Sequence, residues 1–181
     1  MCIIIDTDTL GRVFDPTNAE HRLFEPVLKW IIEGPGIIVY GGSTYEKQLR
    51  AAKRYIPIIT EFGRKRKVYV VDLHAVDAKE REIRGRLSHR DFDDQHLVAI
   101  LLVSGCLLVC TADKESHQFL RHPTFFPRRN ARPKIYGRLR DKPLLCSRNI
   151  PARFKPCTAL SGSERNGLTE AVKGAILRRH R

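Results

Sequence analysis

The sequence lacks the residue spacings that identify a zinc-binding domain. It contains five cysteines but no Cys-x-x-Cys pair. One set of suitable residue types, Cys106 and Cys110 with His117 and His122, has six residues between its two pairs, short of the ~12 expected in a C2H2 finger. Both cysteines lie in apolar sequence, where a free thiol packs as a small hydrophobic group. We therefore expect reduced thiols, as is usual in the cytosol.

The sequence also lacks a hydrophobic run long enough to cross a membrane. Such a run needs ~20 apolar residues, and the longest one here, Leu97 to Cys110, is interrupted by Ser104 and Gly105. The N-terminal MCIIIDTD has no basic residue before its apolar stretch and carries Asp where a signal peptide would continue. These features predict a cytoplasmic protein without a membrane partner.

Acidic residues are scarce in the last third of the chain. Residues 121–181 contain 16 Lys/Arg and 3 Asp/Glu, whereas residues 1–120 contain 17 of each, so the last third carries the whole net charge of +13. A neutral body with a basic extension predicts a polyanionic partner, most simply nucleic acid. The alternative is a tail that only increases solubility.

What the sequence does contain is an alternation of apolar runs and helical patterns. Buried strands are predicted at 2–5, 37–40, 68–71 and 107–111, with a candidate fifth at 135–136. Helices are predicted over 18–33, 44–62, 75–88, 93–104 and 164–178, the first with Asn18 as its N-cap and with Pro26 kinking or splitting it. This order predicts a three-layer α/β/α domain over residues 1–140 with a mainly parallel sheet of four or five strands. Residues 141–181 are predicted to form a basic C-terminal extension with a terminal helix.

Four carboxylates map to the ends of the predicted strands. Asp6 follows the first strand, Glu46 lies one helical turn after the second, Asp94 opens the helix before the fourth, and Asp113 follows the fourth. Ligands of open α/β sheets bind at this edge. Carboxylates without accompanying His or Cys ligands suit Mg²⁺ or Mn²⁺, which can activate water against a phosphodiester. Each acid alone also has a structural explanation, such as favourable negative charge at a helix start.

Three motifs at these positions, IIIDTD, IVYGGSTYEKQL and DFDDQHLVAILLVSGCLLVCTAD, occur in the order found in PIN-domain nucleases. Over about residues 1–140 the chain resembles that family, and the third motif is the most specific. The resemblance implies an α/β/α fold and a metal-dependent nuclease, usually acting on RNA, that hydrolyses the phosphodiester to 5′-phosphate and 3′-hydroxyl ends. It also implies a toxin or effector role in a toxin–antitoxin or defence system, with an antitoxin or other partner protein and a homodimer as expectations.

Matched position by position, the resemblance implies that Asp6, Glu46, Asp94 and Asp113 are the catalytic residues and hold Mg²⁺ or Mn²⁺. Asp94 fits the family motif better than Asp93. Supporting positions around the metal are Asp8, Asp91, Asp93 and Thr111, the last of which resembles a small hydroxyl residue near the metal.

The basic last third of the chain, most of which lies beyond the resemblance, supplies candidate nucleic-acid contacts: Arg128, Arg129, Arg132, Lys134, Arg138 and Arg140, with Arg178 and Arg179 at its end. Four aromatic residues there could stack on bases or pack in the core: Phe125, Phe126, Tyr136 and Phe154. Two other functions remain open at this point. One is a non-catalytic module that binds nucleic acid or protein, and the other is a nuclease that acts on DNA.

Overall fold

The computed structural model describes residues 2–146 and 159–177 and contains one sheet of five parallel strands. Strand β1 is Cys2–Ile5, β2 is Ile37–Gly41, β3 is Val68–Val71, β4 is Leu108–Cys110 and β5 is Lys134–Tyr136. Their order is β3-β2-β1-β4-β5, and each neighbouring pair is parallel. All four residues of the central strand β1 are fully buried, as expected for an apolar run covered on both faces. The predicted α/β fold is confirmed, including its fifth strand.

Helices cover both faces of the sheet. They are α1 Leu10–Phe14, α2 His21–Glu33, α3 Ser43–Ala51, α4 Ile56–Arg64, α5 Leu73–Arg86, α6 Gln95–Ser104, α7 His117–Leu120 and α8 Gly162–Leu177. In one group α5 and α3 pack on α6, which also contacts β1, β2 and β3; in the other, α1 packs on α2 and α8 packs on both α4 and α2. This is the predicted three-layer arrangement.

The single helix predicted over 44–62 was wrong, because the chain forms two helices there. A short 3₁₀ turn, Lys53–Tyr55, separates α3 from α4. Pro57 is the second residue of α4. Proline fits the first turn of a helix but lacks the N–H that a helix interior requires, so its place in the sequence favours a new helix start.

The start of α2 also differs from the prediction. The helix begins at His21 with Glu20 in the N-cap position, and the Asn18 side chain instead accepts a hydrogen bond of 2.9 Å from the Glu20 N–H in the preceding turn. Pro26 lies inside α2, which continues through it to Glu33. The helix is therefore not split.

The buried middle of the third motif forms α6, which ends at Gly105 in the left-handed conformation. Its consecutive residues Leu97 to Leu101 are all buried, as expected for a helix covered by α5 on one side and the sheet on the other. No helix in the described residues is long and apolar enough to cross a membrane.

The terminal helix α8 packs on the body of the protein. Its buried residues Leu168, Val172, Ala175 and Ile176 belong to the same hydrophobic core as the strands. The last helix of the predicted extension therefore contributes to that core. Three residues of the sequence predictions lie outside the described residues: Phe154, Arg178, which was the last residue of the predicted helix, and Arg179.

A glycine is required where β2 passes into α3. Gly42 has a φ of 83° and a ψ of 150°, a backbone conformation that is essentially restricted to glycine. A Cβ added there would also overlap the Val76 side chain of α5. The close approach of these elements thus depends on the missing side chain.

We predict that Gly42→Ala lowers the free energy of unfolding by more than ~2 kcal/mol, because it combines backbone strain with a steric overlap. Urea denaturation measures the change. The matched control is Gly167→Ala in α8, where an added Cβ meets nothing within 4 Å and should stabilise the helix by ~1 kcal/mol. Equal effects of the two substitutions would contradict this account of Gly42.

Candidate functional site

The ends of β1 and β4 bring Asp6 and Thr111 together. The Asp6 N–H donates to the Cys110 carbonyl at 2.9 Å, which continues the pairing of the two strands. The Thr111 hydroxyl donates to Oδ2 of Asp6 at 2.7 Å. The same hydroxyl oxygen accepts a hydrogen bond of 3.1 Å from the Asp113 N–H. One buried threonine therefore links the first and last of the predicted metal ligands.

Asp94 joins this group from the start of α6. It occupies the N-cap position, but its side chain makes no capping hydrogen bond. Burial, followed by the negative charges of Asp6, Asp93, Asp113 and Asp8, raises the pKa of Asp94 from 3.8 to about 7. Asp94 is partly buried, whereas Asp93 is exposed. Of the two neighbours, Asp94 thus lies deeper among the other carboxylates.

Asp6 is held more favourably than Asp94. Burial raises its pKa as well, but the hydrogen bonds from the Thr111 hydroxyl and the Asp8 N–H oppose that effect. Among the described residues no such donor contacts the Asp94 carboxyl, and its pKa is raised to about 7. A protonated Asp94 is neutral and does not repel Asp6. The repulsion among these acids is therefore expressed as a raised pKa of Asp94.

Two of the predicted site residues are not brought into this group. The Glu46 carboxylate accepts from Arg50 at 3.2 Å, and its charge acts on Tyr40. The Asp91 carboxylate pairs with Arg90 at 3.2 Å. Neither acid is among the charges that raise the pKa of Asp94.

The group of acids fits a divalent cation in its chemistry but does not form a ready coordination shell. Within 2–146 and 159–177, no three His, Cys, Asp or Glu side chains are arranged to hold a metal ion. The donors are all carboxylate oxygens, which suit Mg²⁺ or Mn²⁺. A cation would also relieve the repulsion that acts on Asp94.

The predicted nucleic-acid contacts are spread over several surfaces. Arg138 and Arg140 line a cavity beside Thr111. Arg128, Arg129 and Lys134 are exposed outside it, and Arg132 donates to the Phe126 carbonyl at 3.2 Å. The aromatic residues Phe125, Phe126 and Tyr136 belong to the core, so base stacking is not their role.

Two buried polar residues near the site were not identified from the sequence. The Tyr45 hydroxyl donates to the Ile5 carbonyl at 2.6 Å and ties α3 to the end of β1. His96 is 1% exposed, and neither ring nitrogen has a partner with hydrogen-bonding geometry in the described residues. The signal in the sequence was that each of these polar residues stands at a position that the helical pattern assigns to the buried face.

The chain matches no protein-family profile, no curated protein and no solved structure in the three comparisons. The family resemblance of the motifs therefore stays a prediction. A fold of this class supports many unrelated activities, so function has to be argued from the site itself.

We predict that Asp94 makes the metal-free protein less stable as the pH rises. Its pKa of about 7 in the folded protein lies above its ordinary value of 3.8. The folded state therefore binds more protons between these values, and its stability falls until the pH passes 7. In EDTA, the free energy of unfolding of Asp94→Asn relative to the native protein should rise by roughly 3 kcal/mol from pH 5 to pH 8.

The comparison between the two proteins is needed because His96 acts in the opposite direction. Burial lowers the pKa of His96 to about 4, so its contribution to stability increases as the pH rises towards its ordinary value of 6.5. Subtracting the two curves cancels this contribution. Parallel curves from pH 5 to pH 8 would show that Asp94 is not the group described here.

Proposed function

We propose that the protein is a metal-dependent endonuclease that hydrolyses phosphodiester bonds, with Asp6, Asp94 and Asp113 as the ligands of Mg²⁺ or Mn²⁺. The observation that supports this most is the pair of hydrogen bonds by which the Thr111 hydroxyl joins Asp6 to the Asp113 backbone, close enough to Asp94 for both charges to raise its pKa. Groups with strongly shifted pKa values at the carboxyl edge of a parallel sheet are typical of functional sites. RNA is proposed over DNA from the sequence resemblance alone.

Each side chain has a distinct part in this proposal. Asp6 supplies a buried carboxylate whose orientation is set by the Thr111 hydroxyl. Asp113 is exposed, although its backbone is held by the same hydroxyl. Asp94 comes from the N-cap of α6 and must lose its proton to act as a ligand. A bound Mg²⁺ or Mn²⁺ would supply Lewis-acid polarisation of the phosphodiester.

Single-stranded RNA should be cleaved in Mn²⁺ and left intact in EDTA. Asp6→Asn and Asp94→Asn should each lower the cleavage rate by at least ~10²-fold, because each removes a negative ligand from the group. They should also abolish the increase in melting temperature caused by Mn²⁺ in the native protein. Gel analysis of end-labelled RNA and a thermal shift assay measure the two effects.

The control is Glu82→Gln, an exposed carboxylate of α5 that pairs with Lys79 and Arg86. It should cleave RNA and respond to Mn²⁺ like the native protein. Continued cleavage by both Asp variants would exclude this site. Salt-sensitive RNA binding without cleavage in any divalent metal would support a non-catalytic binding module, which is the function favoured by the incomplete metal group.

The hydroxyl of Thr111 should be needed to position Asp6. Thr111→Val keeps the shape of the side chain but removes the donor to Asp6 and the acceptor for the Asp113 N–H. We expect Mn²⁺ affinity to fall ~10-fold or more, as when other supporting groups of metal ligands are removed. Thr111→Ser should restore it, and calorimetric titration with Mn²⁺ measures both. Equal loss in the Val and Ser variants would mean that packing, rather than the hydroxyl, is what matters.

A further inference from the structure

A cavity opens directly beside the acidic group. Its volume is about 670 Å³, within the ~300–1,000 Å³ usual for ligand sites. Its walls come from α2, from the segment that follows β4, from α7 and from the segment that follows β5. Thr111 lines this cavity and also binds Asp6, so the cavity and the acidic group share a wall.

Positive charge in the cavity is available to a ligand. Lys114, Arg121 and Arg140 line it, and none of them forms an ion pair with another described residue. Arg138 is already near Asp141, with 3.9 Å between Nε and Oδ2. Burial lowers the pKa of His117, so this lining residue adds little charge at neutral pH.

The two acids of the cavity are already engaged with other groups. Glu20 pairs with Arg12 at 2.5 Å. Asp141 accepts from the Gly137 N–H at 3.1 Å in addition to its contact with Arg138. The cavity therefore keeps an excess of positive charge immediately next to a group of carboxylates, and this excess favours an anionic ligand.

Part of the cavity lining is apolar. Leu23 of α2 is 37% exposed, and with the partly buried Ile135 it forms part of the lining. A lining that combines unpaired cations with exposed apolar surface matches a nucleotide, which joins a phosphate to a flat base. A base can enter such a cavity only when it is unpaired.

We propose that this cavity binds one nucleotide of a single-stranded nucleic acid, with Lys114, Arg121 and Arg140 on its phosphates and Leu23 against its base, so that the adjoining phosphodiester reaches the acidic group across Thr111. The identification of the ligand as part of a nucleic-acid strand rests on the proposed nuclease function. Binding itself is measured without cleavage, so the two proposals fail separately.

The test measures binding of short fluorescent oligonucleotides, RNA and DNA of the same sequence, by anisotropy in EDTA. Arg121→Gln combined with Arg140→Gln should weaken binding about tenfold or more and reduce the slope of log affinity against log salt by about 1.4, as expected for two lost phosphate contacts on a single strand. The matched control is Arg66→Gln combined with Arg81→Gln, two exposed residues outside the cavity and outside the predicted nucleic-acid contacts. It removes the same charge and should weaken binding less than about threefold. The RNA and DNA arms show which strand the cavity accepts.

Equal weakening by the two double variants, or none by the first, would overturn the proposal. The Mn²⁺-induced thermal shift should be unchanged in Arg121→Gln with Arg140→Gln, because the carboxylates remain. A native protein that binds oligonucleotides through these arginines but shows no thermal shift with Mn²⁺ would refute the nuclease and keep the nucleotide site.

A second variant tests the base contact separately from the phosphate contacts. Leu23→Ser should weaken oligonucleotide binding by about threefold or more while leaving the salt slope unchanged, because it removes apolar contact and no charge. Far-ultraviolet circular dichroism confirms that the variant is folded. Unchanged affinity would place the base outside the cavity and overturn this part of the proposal.

Discussion

The parallel pairing of β1 with β4 brings Asp6 and Thr111 into hydrogen-bond contact although they are 105 positions apart in the sequence. Everything else at the candidate site is arranged around this contact. The Thr111 hydroxyl has one proton to donate, which goes to Asp6, and its oxygen accepts from the Asp113 N–H. A shift of one residue in the register of β1 or β4 would break the contact between Asp6 and Thr111, because it would turn the side chains of that strand to the other face of the sheet.

The same contact explains why the acids are unequal. Asp6 is more buried than Asp94, yet donors compensate its charge, while Asp94 faces the other carboxylates without a hydrogen bond from the α6 backbone. The fold thus concentrates an unfavourable electrostatic energy on one residue. Natural proteins retain such costs mainly where binding a ligand removes them, and a divalent cation is the simplest ligand that would do so.

Much of the fold was predictable because local pattern and tertiary environment agree. The apolar runs of β1, β2 and β4 need burial on both faces, and α6 is apolar on all sides, so each could only lie in the middle of the domain. The break between α3 and α4 does not follow from the helical pattern over 44–62, although Pro57 lies within it. Proline occurs in the first turn of helices and also interrupts them, so a proline alone does not distinguish a new helix from a kinked one.

The site was predictable in part, and Glu46 shows where sequence spacing fails. Its position in the first turn of α3 was correct. However, the neighbouring Tyr45 is buried, and its hydroxyl donates to the Ile5 carbonyl. Successive helical residues point about 100° apart, so a buried Tyr45 turns Glu46 towards Arg50 and away from the acids. The orientation of a helix about its own axis depends on such contacts. The spacing of acidic residues in the sequence does not predict it.

The net charge of a segment does not show which of its charges are available to a ligand. The excess of +13 lies entirely in residues 121–181, but Lys114 in the balanced part of the chain contributes to the cavity, and Arg138 is partly neutralised by Asp141. The charge that a ligand meets is the charge left unpaired at one place. Here Thr111 lines the cavity that holds the unpaired cations and also binds Asp6, one of the mutually repelling carboxylates. If the proposed function holds, a phosphodiester strand is attracted to the cations and repelled by the carboxylates unless a divalent cation is bound. Productive binding of the strand would then depend on the metal.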